Sequence, residues 1–418
     1  MFCGSCMHDN TLSSALIDLG HDVQLIPLYT PIRTDEQNVS INKVFLGGIN
    51  VFLQQKVAFF RQLPPFLDGW LNHPRIINRI TSKRIPTNPQ ELGAITVSML
   101  KGESGHQKKE LLRLTNWLSE NVRPSLVNLT NILIGGCIPA IKKQLGVPVF
   151  VTLQGDDLFL DSLPSPQRDQ AMIEVRRLAA EVDGFITFSQ HYADFMSDYL
   201  KISRNRIQVV PLGIRLEDFV KHSGNPKEKH PPTIGYFARI CPEKGFHLLV
   251  EAFLLLRKMR GTEKARLKVG GWLAEKNTPF FQEQLQKLRQ ENDTGIFEYV
   301  GAPERREKVD FFREVDVCSV PTTYPESKGL FVLESLASGV PVVQPRHGSF
   351  PELIFATRGG YLFNPGDAED LATNLNQLLT DSSTRTELGR RGQQKVVETF
   401  TAEAMARKTI DVYSQFTS

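Results

Sequence analysis

Residues 317–343, VCSVPTTYPESKGLFVLESLASGVPVV, leave little freedom in what this chain folds into. An apolar, β-branched run at 315–320 has the length of a buried parallel strand, and Pro321 and Pro325 close it into a loop. A short helix is predicted to open near Gly329, with Val332, Leu333, Leu336 and Ala337 as its inward stripe. Gly339 supplies a left-handed stop, and Pro341 prevents the helix from continuing before a second strand. Strand, helix and strand in so short a span imply a parallel α/β sheet. Two carboxylates stand on this frame, Glu326 in the loop and Glu334 on the helix, the latter off the apolar stripe. Their spacing alone says little, since exposed Glu is common. Their place says more, because a loop at the carboxyl end of a parallel strand, feeding a helix whose N–H groups face a crevice, is where α/β sheets bind anions.

The rest of the chain repeats this alternation. After a Gly-containing loop at Gly4 and Ser5, a helix is predicted over 11–19 and strands over 23–28, 94–99, 126–129, 147–153, 184–188 and 207–211, with helices at 108–118, 138–145, 167–181 and 191–200 between the later ones. No strand precedes the first loop, although in a nucleotide-type α/β half that strand lies in the middle of the sheet. The sequence therefore leads us to expect an authentic segment of about 5–6 strand residues ahead of Met1. Residues 51–71 are aromatic and amphipathic, broken by Pro64 and Pro65. Two short helices covering the sheet or lining an acceptor cleft is the favoured reading, and peripheral contact with a membrane or a lipid-like acceptor the less favoured one, because the basic face is thin.

A polar passage at 221–232 reads as a linker, after which strands at 233–238, 265–270 and 296–300 alternate with helices at 246–259, 280–291 and 306–313 and lead into the opening segment. Helices at 367–379, with Asp367 as N-cap, and 383–400 close the series. Two successive βα series imply an α/β chain of two doubly wound domains facing a cleft, 1–220 and 221–400, with 401–418 a C-terminal helix packing back towards the first.

With 418 residues the chain has room for two cores. Its net charge of +3 is too mild for nucleic-acid binding, and Lys108-Lys109 and Arg305-Arg306 read as solvated faces. Neither a signal peptide nor an apolar run of about 18 residues is found, and the odd count of 5 cysteines fits a reducing compartment, so cytoplasmic residence is expected. Cys3-Gly-Ser-Cys6 has redox or half-zinc spacing but no second pair.

At the carboxyl end of the second half's first strand, Arg239 and Lys244 stand five residues apart. A diphosphate needs such partners, a planar fork for paired oxygens and a mobile point charge. Together with Val210-Pro-Leu-Gly213-Ile, Asp218-Phe219 and 321–343, residues 239–245 resemble the retaining GT-B glycosyltransferases of family 4, with weaker echoes at 20–23 and 348–352. The resemblance implies the GT-B fold and transfer of a sugar, a hexose by preference, from a nucleoside-diphosphate sugar to a carbohydrate, lipid or small-molecule acceptor. It implies no metal and no other cofactor.

By the same resemblance Arg239 and Lys244 bind the diphosphate, Glu334 takes the ribose hydroxyls, and Glu326 contacts the donor sugar near the reacting centre. Backbone N–H groups at Gly329, Leu330 and Phe331 complete those contacts, and Gly4 and Ser5 approach the diphosphate. Family members often carry His where this chain has Gln154, in a pattern whose acidic end is Asp157. Gln hydrogen-bonds but does not titrate near neutrality. A positioning role at Gln154 is therefore expected, and a catalytically impaired sugar-nucleotide-binding protein is the alternative.

Overall fold

The computed structural model of the chain describes residues 4–63, 89–220, 231–290 and 295–416. Most of the expected linker and residues 64–71 of the aromatic stretch lie outside that set. The chain divides into two compact units, one of residues 2–211 with 406–418, the other of residues 212–405.

The first unit is built on β1 (Val127–Leu129), β2 (Val149–Thr152), β3 (Gly184–Thr187) and β4 (Ile207–Val209). They pair in parallel in the order β1-β2-β3-β4. Both central strands are buried along their whole length, as their continuous apolar runs demand. Helix Gln167–Glu181 buries Ala171, Val175, Leu178 and Ala179, one stripe at helical spacing. Helix Gln190–Leu200 starts at Ser189, whose hydroxyl accepts from the Tyr192 N–H at 3.2 Å. Chain-terminal residues join this unit too. Tyr413 of helix Ala402–Ser414 and Phe416 meet Phe150 of β2 edge-on, with ring centroids 5.2 and 5.0 Å apart.

Three expectations fail here, each for a physical reason. The first helix spans Gly4–Asp18, so Gly4 and Ser5 belong to its opening turn and not to a loop. Residues 23–28 form only isolated parallel bridges, Leu25 with Ser40 and Leu28 with Phe45. Pro27 lies between those bridges, and with no N–H it cannot continue a ladder. Residues 94–99 are helical within Pro89–Leu100 despite their β-branched content. Gly93, Thr96, Val97 and Leu100 are buried on one face, and a Cβ at Gly93 would meet the Gln167 side chain at 2.7 Å, so close packing on helix Gln167–Glu181 overrides strand propensity.

In the second unit six parallel strands follow the order β10-β9-β8-β5-β6-β7. They are β5 (Thr233–Phe237), β6 (Arg266–Gly270), β7 (Phe297–Tyr299), β8 (Val317–Cys318), β9 (Val342–Pro345) and β10 (Gly360–Phe363). The chain winds outward from β5 to β7, then returns to the other side of β5 for β8 to β10. Neighbours β5 and β8 thus flank the point where the winding reverses, and loops leaving their carboxyl ends diverge to open a crevice. Strand β8 is shorter than expected, although the Ser319 N–H still donates to the Gly235 carbonyl at 2.9 Å. Asp367 caps helix Ala368–Thr380 as predicted, accepting from the N–H groups of Glu369 and Asp370. Among the described residues no helix is long and apolar enough to cross a membrane.

Candidate active site

Each loop at the reversal point contributes a charged side chain, and the two meet. The loop after β5 carries Lys244 in a single helical turn, Pro242–Lys244, that ends at Gly245. Gly245 has φ +70°, and a Cβ there would lie 1.7 Å from the Pro321 carbonyl oxygen, so only glycine lets this loop lie against the one after β8. From the β8 loop, Glu326 accepts an ion-paired hydrogen bond from the Lys244 ammonium. Tyr324 stands between them: Lys244 Nζ is 2.6 Å from its hydroxyl, which donates to Glu326 Oε2 at 2.9 Å. The Lys328 N–H donates to the other carboxylate oxygen at 3.3 Å.

Gly348 backs Glu326. Its φ is +61°, and a Cβ would approach the Glu326 nitrogen to 2.4 Å. Burial pushes the Glu326 carboxyl up, but the Lys244 ammonium, the Tyr324 hydroxyl and the Lys328 N–H outweigh it and hold the group at about 2. Burial and the adjacent Glu326 charge push the Tyr324 hydroxyl well above its usual range. Around neutrality the cluster is therefore a buried carboxylate, a neutral phenol and a cation.

Helix Leu330–Ala337 begins beside this cluster, with Gly329 as its left-handed N-cap. The Phe331 ring centroid lies 5.9 Å from Lys244 Nζ, which puts the first turn of the helix beside the ammonium. That combination of cation, helix N-terminus and dipole suits an anion. Arg239 is exposed in the same loop as Lys244, and its charge is felt by the Tyr324 hydroxyl, which it pulls down against burial. The structure thus joins Lys244 to Glu326, with Arg239 on the same loop as Lys244 and with Gly329, Leu330 and Phe331 at the start of the adjoining helix.

Glu334 departs from its predicted setting. Residues 331–337 are all buried, so the helix has no outward face among them. Glu334 is 4% exposed and accepts a hydrogen bond of 2.6 Å from the ammonium of Lys308, itself 2% exposed, on helix Arg305–Arg313. A buried carboxylate tolerates its setting only when paired. Arg305, expected to be a solvated cation, instead stacks 4.6 Å over the Phe219 ring and pairs with Asp218 at 3.0 Å.

Within the first unit, Gln154 and Asp157 belong to adjoining hydrogen-bond groups. Gln154 is buried, and its amide donates at 3.1 Å to Asp9 Oδ1, to the Thr130 carbonyl and to the Thr130 hydroxyl. Asp9 is also 2.9 Å from His8 Nδ1. The Asp157 carboxylate accepts from the Tyr192 hydroxyl at 2.5 Å, and that hydroxyl in turn accepts from the Gly155 N–H at 2.9 Å. Burial pushes Asp157 up, against the Tyr192 hydrogen bond. Asp156 is structural, accepting from the N–H groups of Ile132 (2.8 Å) and Gln154 (2.9 Å). Burial pushes it up to about 6.

Sequence reasoning missed Tyr324, Lys308, Asp9, Thr130 and Tyr192. Only Tyr324 left a signal, as an aromatic hydroxyl two residues before Glu326 in the same loop.

Residues 218–395 match the family described as Glycosyl transferases group 1, and residues 88–218 match Glycosyltransferase Family 4. A 258-residue stretch, 60% of this chain, is 27% identical to the MMP alpha-(1->4)-mannosyltransferase of Mycolicibacterium hassiacum, of which it covers 59%. Over 267 residues, again 60% of the chain, identity to the D-inositol 3-phosphate glycosyltransferase of Pseudarthrobacter chlorophenolicus is 29%, covering 61% of that protein. The chain thus spans about six tenths of the length of these two relatives. In fold it is similar to Anabaena HepE, solved in complex with UDP, with a TM-score of 0.63 at 15% identity over 94% of this chain and 100% of the other.

Proposed function

The chain belongs to the glycosyl transferases of group 1 and has the GT-B fold, and from that premise we propose that it moves a hexose from a nucleoside-diphosphate sugar to an acceptor, with retention of anomeric configuration and without a metal. The observation that carries this reading is the convergence of Lys244, Glu326 and the N-terminus of helix Leu330–Ala337 at the reversal point of the sheet. Breaking the anomeric C–O bond leaves negative charge on the departing diphosphate. Fixed cations and helix N–H groups aimed at that charge lower the barrier without reorganising, which is the service a metal renders elsewhere.

In this reading Arg239 and Lys244 hold the diphosphate, with Leu330 and Phe331 N–H groups beside them. Glu326 stays ionised against the sugar as positive character develops there, and Lys244 sets its orientation. Glu334 takes the ribose hydroxyls. Gln154 and Asp157 hydrogen-bond the sugar, and Gly4 and Ser5 supply N–H groups from the first turn of their helix. The neighbours support a nucleotide donor, since HepE was solved with UDP, and the relatives' names support a carbohydrate-type acceptor.

A second reading, sugar-nucleotide binding without turnover, draws on Gln154, whose amide is already committed to Asp9 and Thr130. Release of the nucleoside diphosphate from a panel of UDP-, GDP- and ADP-sugars separates the two, and Glu326→Ala then tests the role of Glu326. With an active donor and acceptor pair, turnover should fall at least about a hundredfold while donor binding persists. Undiminished turnover removes Glu326 from the reacting centre. The anomeric proton coupling of the product, compared with that of the donor, tests retention.

A further inference from the structure

Among the described residues three donors reach the Glu326 carboxylate, and only Lys244 brings charge. Its ammonium has three N–H bonds. One points to Glu326 and one to the Tyr324 hydroxyl at 2.6 Å. A diphosphate at this ammonium competes for the same cation, and it carries more charge than one carboxylate. Drawn towards phosphate, Lys244 leaves behind a carboxylate that is 6% exposed, and a buried carboxylate without partners is costly. The donors that remain are neutral: the Tyr324 hydroxyl, 2.9 Å from Oε2, and the Lys328 N–H, 3.3 Å from Oε1. The phenol is the closer of the two.

Tyr324 is fixed by its loop and not by the ion pair alone. The Thr322 hydroxyl donates to the Tyr324 carbonyl at 3.0 Å. The Thr323 N–H donates to the Glu243 carbonyl at 3.0 Å, which ties this loop to the one carrying Lys244. On the other side the Ser349 N–H donates to the Glu326 carbonyl at 2.7 Å. Backbone on both flanks of the phenol is thus anchored. Burial and the Glu326 charge push its hydroxyl well above the usual range, so it stays a proton donor and does not act as a base. Lys244 Nζ lies 5.1 Å from the ring centroid, close enough for the ring to sense where the cation goes.

We propose that Tyr324 is a positioning residue, one that keeps Glu326 oriented when the Lys244 ammonium turns from that carboxylate to the diphosphate of the donor, a role that rests on the transfer reading above. Tyr324→Phe removes the hydroxyl and keeps the ring, Lys244 and the Lys328 N–H. With a UDP-, GDP- or ADP-sugar that the wild type turns over, kcat should fall roughly ten- to hundredfold, the worth of one hydrogen bond to a charged group. Affinity for the matching nucleoside diphosphate should change less than about threefold, whereas a merely structural role would move both or neither. In Glu326→Gln the hydroxyl has no charge to hold, so adding Tyr324→Phe should lower kcat by less than about a further threefold.

Carbon NMR of the full chain labelled at tyrosine Cζ follows the same event without turnover. Of the 8 tyrosines, the resonance that Tyr324→Phe removes should shift when the nucleoside diphosphate is added. If that variant does not fold, the resonance is identified as the one that Glu326→Gln displaces. Binding of no donor by the wild type overturns the transfer reading and this role with it. Donor turnover that Tyr324→Phe leaves undiminished, or a kcat and a diphosphate affinity that fall together, overturns the role of Tyr324 alone. So does a Tyr324 resonance that the diphosphate leaves unmoved.

Discussion

Replacing Lys308 by Met removes one partner of the most deeply buried ion pair at the site, 2.6 Å from Glu334, with the two residues 2% and 4% exposed. The thioether fills much of the lysine stem's volume, so the loss is chiefly electrostatic. A buried carboxylate left without its cation costs about 3–5 kcal/mol. That cost falls on the second unit, whose strand β5 forms the centre of its sheet. Native-state hydrogen exchange of the β5 amides measures it: about 3 kcal/mol is a roughly 150-fold faster exchange through global opening. In Lys308→Met/Glu334→Gln no charge is left uncompensated, and most of the protection should return. Less than about fivefold acceleration in the single variant, or a double variant no better than the single, would refute the argument that Lys308 exists to compensate Glu334.

Lys244→Ala should weaken donor binding and slow transfer together, by at least about tenfold in kcat/KM, since it removes a diphosphate partner and unpairs Glu326; unchanged kinetics would take Lys244 out of the site. Glu326 has a folded pKa of about 2 against a usual 4.5. Its contribution to stability is therefore fully present above about pH 4.5 and is lost as pH falls towards 2, so acid unfolding should come at higher pH in wild type than in a Glu326→Gln variant corrected for its lower starting stability. A difference between the two that does not vary between pH 5 and pH 3 (about the range set by that shift) would contradict the pairing. Gly245→Ala should destabilise by more than about 1 kcal/mol in chemical denaturation, since a Cβ would lie 1.7 Å from the Pro321 oxygen; a neutral outcome would mean that the loop yields.

Legibility in the sequence followed how local each signal was. Two βα series could be read from buried apolar runs and turn residues, and Asp367 was identified as an N-cap from its position before the helix. Arg239, Lys244 and Glu326 were legible because loops at strand carboxyl ends are where this architecture gathers ligand groups. Lys308 was not. Its partnership with Glu334 joins helices Arg305–Arg313 and Leu330–Ala337, and no periodicity reports which residues of two helices face each other. Pro89–Leu100 was misread because strand propensity is weak evidence beside the burial that helix Gln167–Glu181 offers it. Lys109 and Arg305 looked like ordinary surface charges, and only the fold shows one donating to the Phe60 and Leu63 carbonyls and the other stacked on Phe219.

The central claim, that the convergence of Arg239, Lys244 and Glu326 serves a nucleoside-diphosphate sugar, is tested most directly by calorimetric titration of the full chain with UDP-, GDP- and ADP-sugars, followed for each by release of the nucleoside diphosphate. At least one donor should bind in the wild type, lose most of its affinity in Lys244→Ala, and release its nucleoside diphosphate when an acceptor is supplied. Binding of no donor, or binding indifferent to Lys244→Ala, would contradict it.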